Sequence, residues 1–279
     1  MATKLYLGKI PICVRSLNEG FLGRVEPVRG GAEERDYDLD PVEMRDAPEF
    51  ETLSDADAIA AQQEQERNES SLFHMYMREE PAKRWLLDQN GDGYCWGYST
   101  GDAFMFDRLK QNLTDASLPF VVINPHATCA IIKRGRDEGG WCGLSMKWAR
   151  ENGYALVGDG PGQWPLHSRN LKYDTNLLRD SMKLHKAEES WYDLGRREYD
   201  QVLAKKQLWT LTAQNVPCPA DWMRHSHSMD LVWMAYIDGR LHPIVHNSWK
   251  NWGYYGFGVL YDQWPNNAVA LRASTPSVK

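Results

Sequence analysis

The stretch Gln89-Asn90-Gly91-Asp92-Gly93-Tyr94-Cys95-Trp96 has residue types and spacing that suit nucleophilic chemistry. A glutamine stands six positions ahead of a cysteine, glycines loosen the turn between them, and an aromatic follows the thiol at once. Behind it, Ala103, Phe104, Phe106, Leu109 and Leu113 fall on one face of a helical repeat. The pattern predicts a loop that delivers Cys95 to the first turn of a helix. A helix N-terminus carries partial positive charge and unpaired N–H groups, which favour thiolate over thiol. The Gln89 amide, close upstream, can donate to an oxyanion forming on an attacked carbon. A lone cysteine is commonly just a small buried hydrophobe, so the chemistry requires a base and a group to orient it. Two stretches offer them. His225-Ser226-His227-Ser228-Met229-Asp230-Leu231-Val232 brings a histidine into an apolar strand, and His246-Asn247-Ser248-Trp249 brings an amide that can accept from one imidazole nitrogen beside a shielding indole. His225 competes with His227 for the role of base, placed two residues earlier on the same strand face. The small and then apolar residues after His227 favour the latter.

Other chemistries fit these residues less well. Asp88-x-Asn90-x-Asp92-Gly93 opens like a calcium loop, but Ser99 stands at the twelfth position where a glutamate is needed. His225, His227 and Cys218 come without a Cys-x-x-Cys pair for zinc. Gly91, Gly93, Gly97 and Gly101 lack the strand and lysine of a phosphate loop. No metal and no organic cofactor is expected.

The elements that must position these groups can be read in outline. Residues 1–31 look like one or two short strands and turns. Residues 33–69 carry fourteen acidic residues against three arginines, a composition expected to be disordered on its own. Leu118 to Ile123 reads as a short strand or extended segment, and Gly139-Gly140-Trp141-Cys142-Gly143 opens a helix that Gly153 can cap. About 174–206 reads as one or two amphipathic helices. Leu208 to Thr212 has strand composition, broken by Pro217-Cys218-Pro219. Met229 to Tyr236, Pro243 to His246 and Gly256 to Tyr261 read as strands. A helical first half and a strand-rich second half predict an α+β protein of two lobes.

Composition bounds the function. A net charge of −6 speaks against nucleic acid as the main partner, and no apolar run reaches membrane-spanning length. No apolar leader segment opens the chain, so secretion by a signal peptide is not expected. Cys13, Cys95, Cys129, Cys142 and Cys218 have no repeated spacing and are read as reduced thiols of an intracellular, cytoplasmic protein, or of one carried on a virus particle.

Taken in order, Gln…Cys-Trp, Gly-Gly-aromatic, His-Ser-Met and Asn-Ser-Trp resemble the papain-like cysteine peptidases over about residues 80–272. Gln89, Gly93, Cys95, Trp96, Ser99 and Thr100 fit the cysteine motif, and His227 to Val232 fits the histidine motif except at Trp233, where the family has glycine. Asn247-Ser248-Trp249 with Trp252-Gly253-x-x-Gly256-Phe257 fits the asparagine motif, one residue shorter than usual and preceded by an atypical Pro243 and His246. The resemblance implies a helical left lobe and a β-barrel-like right lobe. It implies Cys95 as nucleophile, His227 as base and acid, Asn247 as orienter and Gln89 in the oxyanion hole. Gly139, Gly140 and Trp141 would line the groove for a peptide or protein substrate, and Trp96 and Trp249 would support the site. Cys95 would be a thiolate at neutral pH, paired with His227. Asp92 replaces a cysteine that forms a disulfide in secreted members, in keeping with a reducing compartment.

Residues 1–79 are then expected to form an acidic N-terminal extension, either a prosegment-like strap or an arm for homo- or hetero-oligomeric assembly. Residues 80–279 would form the peptidase domain, with a helical insertion at about 154–224. The alternatives are a structural component of a large assembly that keeps the fold, and acyl transfer by the same triad.

Overall fold

A computed structural model of the chain describes residues 5–7, 9–13, 32–33, 51–79, 84–188, 192–194 and 201–275. Two short strands, β1 (Leu5–Leu7) and β2 (Ile10–Cys13), precede helices α1 (Asp55–Arg67) and α2 (Leu72–Arg78). A helical lobe follows, with α3 (Cys95–Thr114), α4 (Pro125–Ile132), α5 (Cys142–Glu151), the paired strands β3 (Leu156–Val157) and β4 (Gln163–Trp164), and α6 (Asn176–Met182). Strand β5 (Tyr192–Asp193) and helix α7 (Gln201–Ala213) lead into β6 (Cys218–Trp222), β7 (His227–Ile237), β8 (Arg240–His246), β9 (Phe257–Leu260) and β10 (Asn267–Ala270). The larger sheet has the order β1-β2-β9-β8-β7-β6-β10-β5, antiparallel throughout except where β2 runs parallel to β9. The α+β architecture matches the expectation. No described helix is long and apolar enough to cross a membrane.

Helix α3 is the spine. Every residue from Cys95 to Leu109 is buried, so this helix has a core on all sides. It carries glycine where a helix normally avoids it, at a cost of about 1 kcal/mol each. The reason is closeness: a Cβ on Gly97 would lie 2.0 Å from Cys129 Sγ, and one on Gly101 2.5 Å from the Pro125 ring. The two glycines let α4 pack backbone-close against α3. The opposite side of α3 presses on β6 and β7. One face of the sheet buries Val232, Ile244 and Val259 with α2 and α3, and the other buries Leu231, Met234 and Val245 with α1 and α7.

Three expectations are corrected here. Leu208 to Thr212 belongs to α7 and is no strand. The Thr210 and Thr212 hydroxyls donate to the carbonyls of Lys206 and Leu208 four residues back, so these β-favouring residues are held in a helix whose Leu208 and Leu211 face the core. Cys218 and Pro219 do not interrupt the chain but begin β6, with Pro219 opposite Asp230. Within the acidic stretch, residues 55–67 form α1, capped by Ser54, whose hydroxyl accepts from the Asp57 N–H. Gln65 fastens this helix to the lobe, its amide donating to the Thr212 and Ala213 carbonyls and accepting from Trp233 Nε1.

Residues 51–79, which the sequence groups with the extension, therefore pack into the sheet lobe, where Leu72 and Tyr76 are fully buried. Tyr76→Ala is expected to cost about 3–5 kcal/mol in urea denaturation, as large aromatic truncations do. A chain begun at residue 80 should lose its cooperative melting transition altogether. A sharp transition in residues 80–279 alone would show that α1 and α2 are dispensable.

Candidate active site

Cys95 is the first residue of α3, and its side chain is 1% exposed. Its N–H and that of Trp96 precede the first intrahelical bond, from Gly97 N–H to the Tyr94 carbonyl at 2.9 Å. Gln89 is held upstream by three bonds. Its N–H donates to the Ser248 carbonyl at 3.0 Å, its Oε1 accepts from the Ser248 hydroxyl at 2.7 Å, and its Nε2 donates to the Asp92 carbonyl at 2.8 Å. One Nε2 hydrogen is left for another acceptor.

His227 opens β7, and its Nε2 lies 2.8 Å from Asn247 Oδ1, just beyond the end of β8. Since Oδ1 only accepts, Nε2 carries the proton and Nδ1 keeps its lone pair. Trp249 stacks on the ring at 4.2 Å between centroids. His225 takes a different place. It ends a 3-10 turn ahead of Ser226, which adopts a left-handed conformation (φ 47°), and its Nε2 pairs with Gln263 Oε1 at 2.8 Å. The turn separates the two histidines, so they share no strand face.

The thiol itself is bonded elsewhere. Cys95 Sγ lies 3.7 Å from Ser228 Oγ, and the Ser228 hydroxyl donates to Asp221 Oδ1. A hydroxyl has one proton, so the thiol is the donor toward Ser228. Asp221, fully buried, also accepts from the Cys142 N–H at 3.2 Å and the Cys142 thiol at 3.1 Å. Ser228 follows His227 in the histidine motif, but nothing in the sequence marks Asp221, which the β6–β7 register sets opposite Ser228. No hydrogen bond joins Cys95 to His227. Burial, with the Asp221 charge, pushes the Cys95 thiol up to about 12. Burial likewise lowers His227 to about 4 despite the Asn247 bond. The expected thiolate at neutral pH is therefore not the resting state; desolvation outweighs the helix end.

Gly140 lies flat against Trp96, where a Cβ would sit 2.7 Å from the indole. Trp96 in turn donates Nε1–H to the Gly93 carbonyl at 3.1 Å. Gly139 precedes this contact, and Trp141 follows it as the N-cap of α5. A segment from the extension sits here. Ala32 forms a parallel bridge with Gly140, its N–H donates to the Ser226 carbonyl at 2.9 Å, and Glu33 N–H donates to the Gly140 carbonyl at 2.8 Å. Ala32 is 5% exposed and packs in the cluster that contains Cys95 and Trp96. Ala32 and Glu33 thus bond to the Gly-Gly segment on one side and to the residue preceding His227 on the other.

No family model and no curated protein matches this sequence. Solved structures do match. Xylellain, a cysteine protease from Xylella fastidiosa, is similar over 90% of this chain and 98% of its own, with 16% identity and a TM-score of 0.57. ProCathepsin B S9 from Trypanosoma congolense is similar over 91% of this chain and 86% of its own (13% identity, TM-score 0.47). Digestive procathepsin L 3 of the Tenebrio molitor larval midgut is similar over 67% of this chain, which spans 66% of it (15% identity, TM-score 0.47). The fold is papain-like. At these identities the likeness is one of architecture, and the chemistry rests on the residues above.

Beneath the Cys95 loop, Asp92 Oδ2 faces His126 Nε2 at 3.5 Å, and Asp137 accepts from the Gly93 N–H at 2.7 Å. Burial lowers His126 to about 3, so it brings no charge to balance Asp92. Burial and the Asp137 charge raise Asp92 above the usual carboxylate range. A carboxyl raised in the fold loses stability as pH climbs past its unfolded value. Asp92→Asn, whose amide can still donate to Asp137, is expected to raise the melting midpoint at pH 7 by about 2–4 °C, the equivalent of about 1 kcal/mol. At acidic pH, where Asp92 is protonated in both states, the gain should vanish; an equal gain at both would refute the charge argument.

Proposed function

We propose that the chain is a thiol peptidase held latent by its own N-terminal strand. The observation that carries this reading is the His227–Asn247 bond under Trp249, with Ser228, the next residue, 3.7 Å from the Cys95 thiol at the helix end. A peptide lying along Gly139, Gly140 and Trp141 brings its carbonyl carbon to Cys95. Sulfur attacks, the thiol proton passes to His227 Nδ1, and the carbonyl oxygen takes its negative charge between the Cys95 N–H and the Gln89 amide. Collapse breaks the C–N bond, and His227 returns the proton to the departing amine. Water then attacks the thioester, with His227 taking its proton, and the acid leaves. Asn247 holds the imidazole with Nδ1 forward, Trp249 keeps water off the holding bond, and Trp96 floors the groove.

The strand at Ala32 and Glu33 accounts for the uncharged resting pair. By covering the thiol and the imidazole it removes the water that a charged pair needs. It also uses the backbone groups, at Gly140 and Ser226, that a substrate would use. Opening the strand rehydrates both groups and lets the proton move from Cys95 to His227.

Ala32→Pro/Glu33→Pro removes both N–H donors and leaves the rest of the chain in place. Iodoacetamide labelling of Cys95 in the intact chain should be slow at neutral pH and accelerate only in strong alkali. In the Ala32→Pro/Glu33→Pro chain it should be at least about tenfold faster at neutral pH, the size of effect a lowered thiol pKa gives. His227→Ala should abolish that gain, and peptide cleavage should accompany it and vanish in Cys95→Ala. Labelling and cleavage both unchanged by the double proline would sink the reading.

A further inference from the structure

The last residue of β8 reaches out of the sheet lobe to the spine helix. His246 Nδ1 lies 2.5 Å from Asp102 Oδ2 on α3, and His246 Nε2 lies 3.0 Å from the Tyr255 carbonyl oxygen. Asp102 Oδ1 accepts from Trp85 Nε1 at 2.5 Å. Both ring neighbours are acceptors, so Nε2–H is donated to Tyr255 and one further proton lies between Nδ1 and Asp102. The pair is nearly sealed, with side chains 2% and 11% exposed. Asp230 stands opposite His246 in the β7–β8 register. Burial and the Asp102 charge raise its carboxyl well above the usual carboxylate range. Tyr76 and Phe257 pack their rings against His246 at 5.5 and 4.5 Å, and Phe106 at 5.4 Å. Gly256 (φ 83°) closes the ring in, since a Cβ there would lie 2.6 Å from Nε2.

The two residues that follow His246 are both in the site: Asn247 holds His227, and Ser248 holds Gln89. Asp102 lies two turns, about 10 Å, along α3 from Cys95. We infer that Asp102 and His246 are positioning residues, a clamp that fixes the end of β8 against the helix bearing Cys95 and thereby sets the His227 ring in line with the thiol. The catalytic consequence rests on the peptidase reading; the geometric one does not. A displacement of about 1 Å at a reacting group costs about a hundredfold in rate, and the clamp adds a tie to the helix that the pairing of His246 with β7 and β9 does not supply.

The test uses the Ala32→Pro/Glu33→Pro chain with Asp102→Leu/His246→Leu, which removes both partners together and strands no charge, an exchange that is often neutral in stability. Phe104→Ala serves as the control, a core truncation on the same helix packed on Tyr154 and away from the clamp. The double leucine chain is expected to lose about 10–100-fold in kcat with KM within about twofold, while Phe104→Ala lowers the melting midpoint and leaves kcat per folded molecule unchanged. Asp102→Asn, which keeps its shape and a hydrogen bond to His246, should recover most of the loss. Unchanged kcat in the double leucine chain, or equal losses in the Phe104→Ala control, overturns the clamp. A second readout is independent of turnover: the His227 ring N–H donated to Asn247, followed by proton–nitrogen NMR. If the native-clamp chain neither cleaves peptides nor labels at Cys95, the peptidase reading fails. The clamp then stands if the double leucine chain alone loses the exchange-protected His227 signal, and falls if the signal persists.

Discussion

The contact between the first turn of α3 and the opening residues of β7 is the constraint from which the rest of the structure follows. It brings Ser228, the residue after His227 at the start of β7, to 3.7 Å from the Cys95 thiol at the helix end. Holding it requires a helix buried all round, which in turn requires Gly97 and Gly101 so that α4 can close over it. It also requires one β7–β8 register, because a slip by one residue would turn Asn247 away from His227. The irregularity between Leu231 and Trp233 follows the Asp230–His246 and Leu231–Val245 pairs, so those two pairs hold the register next to Asn247.

Burial works against the same contact. The environment that fixes Cys95 and His227 also withdraws the water that charges need, and the two groups shift in opposite directions, the thiol upward and the imidazole downward. A helix N-terminus is worth about 1 kcal/mol at an exposed site, too little to reverse the desolvation of a fully buried thiol. The chemistry of this site therefore depends on hydration of a geometry already in place. That separates the fold's task, which is alignment, from the task of whatever lies across the groove, which is to set the charge state. Ala32 and Glu33 lie across the groove there, bonded to Ser226 and Gly140.

What the sequence disclosed divides along the same line. Gln89, Cys95, His227 and Asn247 stood out as candidates because the chemistry proposed for them calls for fixed residue types within short local motifs, and the helix after Cys95 and the strands β7 to β9 were legible because their apolar periods are strong. The α7 segment was misread because Trp209, Thr210 and Thr212 favour strands when considered alone; only the back-bonded hydroxyls and the packed leucines reveal the helix. Helix α1 was hidden by its charge, since composition cannot show that Gln65 finds carbonyls about 150 residues away. The shift of Cys95 toward Ser228 and Asp221 was equally invisible, because it depends on which face of β6 meets which face of β7. Ala32 carries no signal at all: a small residue among glycines has only its backbone to offer.

The polar interior between the lobes makes the balance explicit. Asp102, Asp221 and Asp230 are all essentially buried, and Asp102 lines a cavity of about 10 Å³ together with Ser99, Ser228, His246 and Asn247. Burying a carboxylate is costly, and apolar residues of similar volume commonly serve stability as well or better. Directional bonds, unlike apolar contacts, resist sliding: a leucine layer would tolerate a shift of one lobe on the other that an imidazole fixed by a carboxylate and a carbonyl does not. The carboxylates line up with the elements that need alignment, Asp102 with the end of β8 and Asp221 with the start of β7 and α5. Burial and the Asp102 charge raise the Asp230 carboxyl, which disfavours a third buried charge. The interior thus gives up some packing stability for register, and register is what a three-residue site drawn from two lobes most depends on.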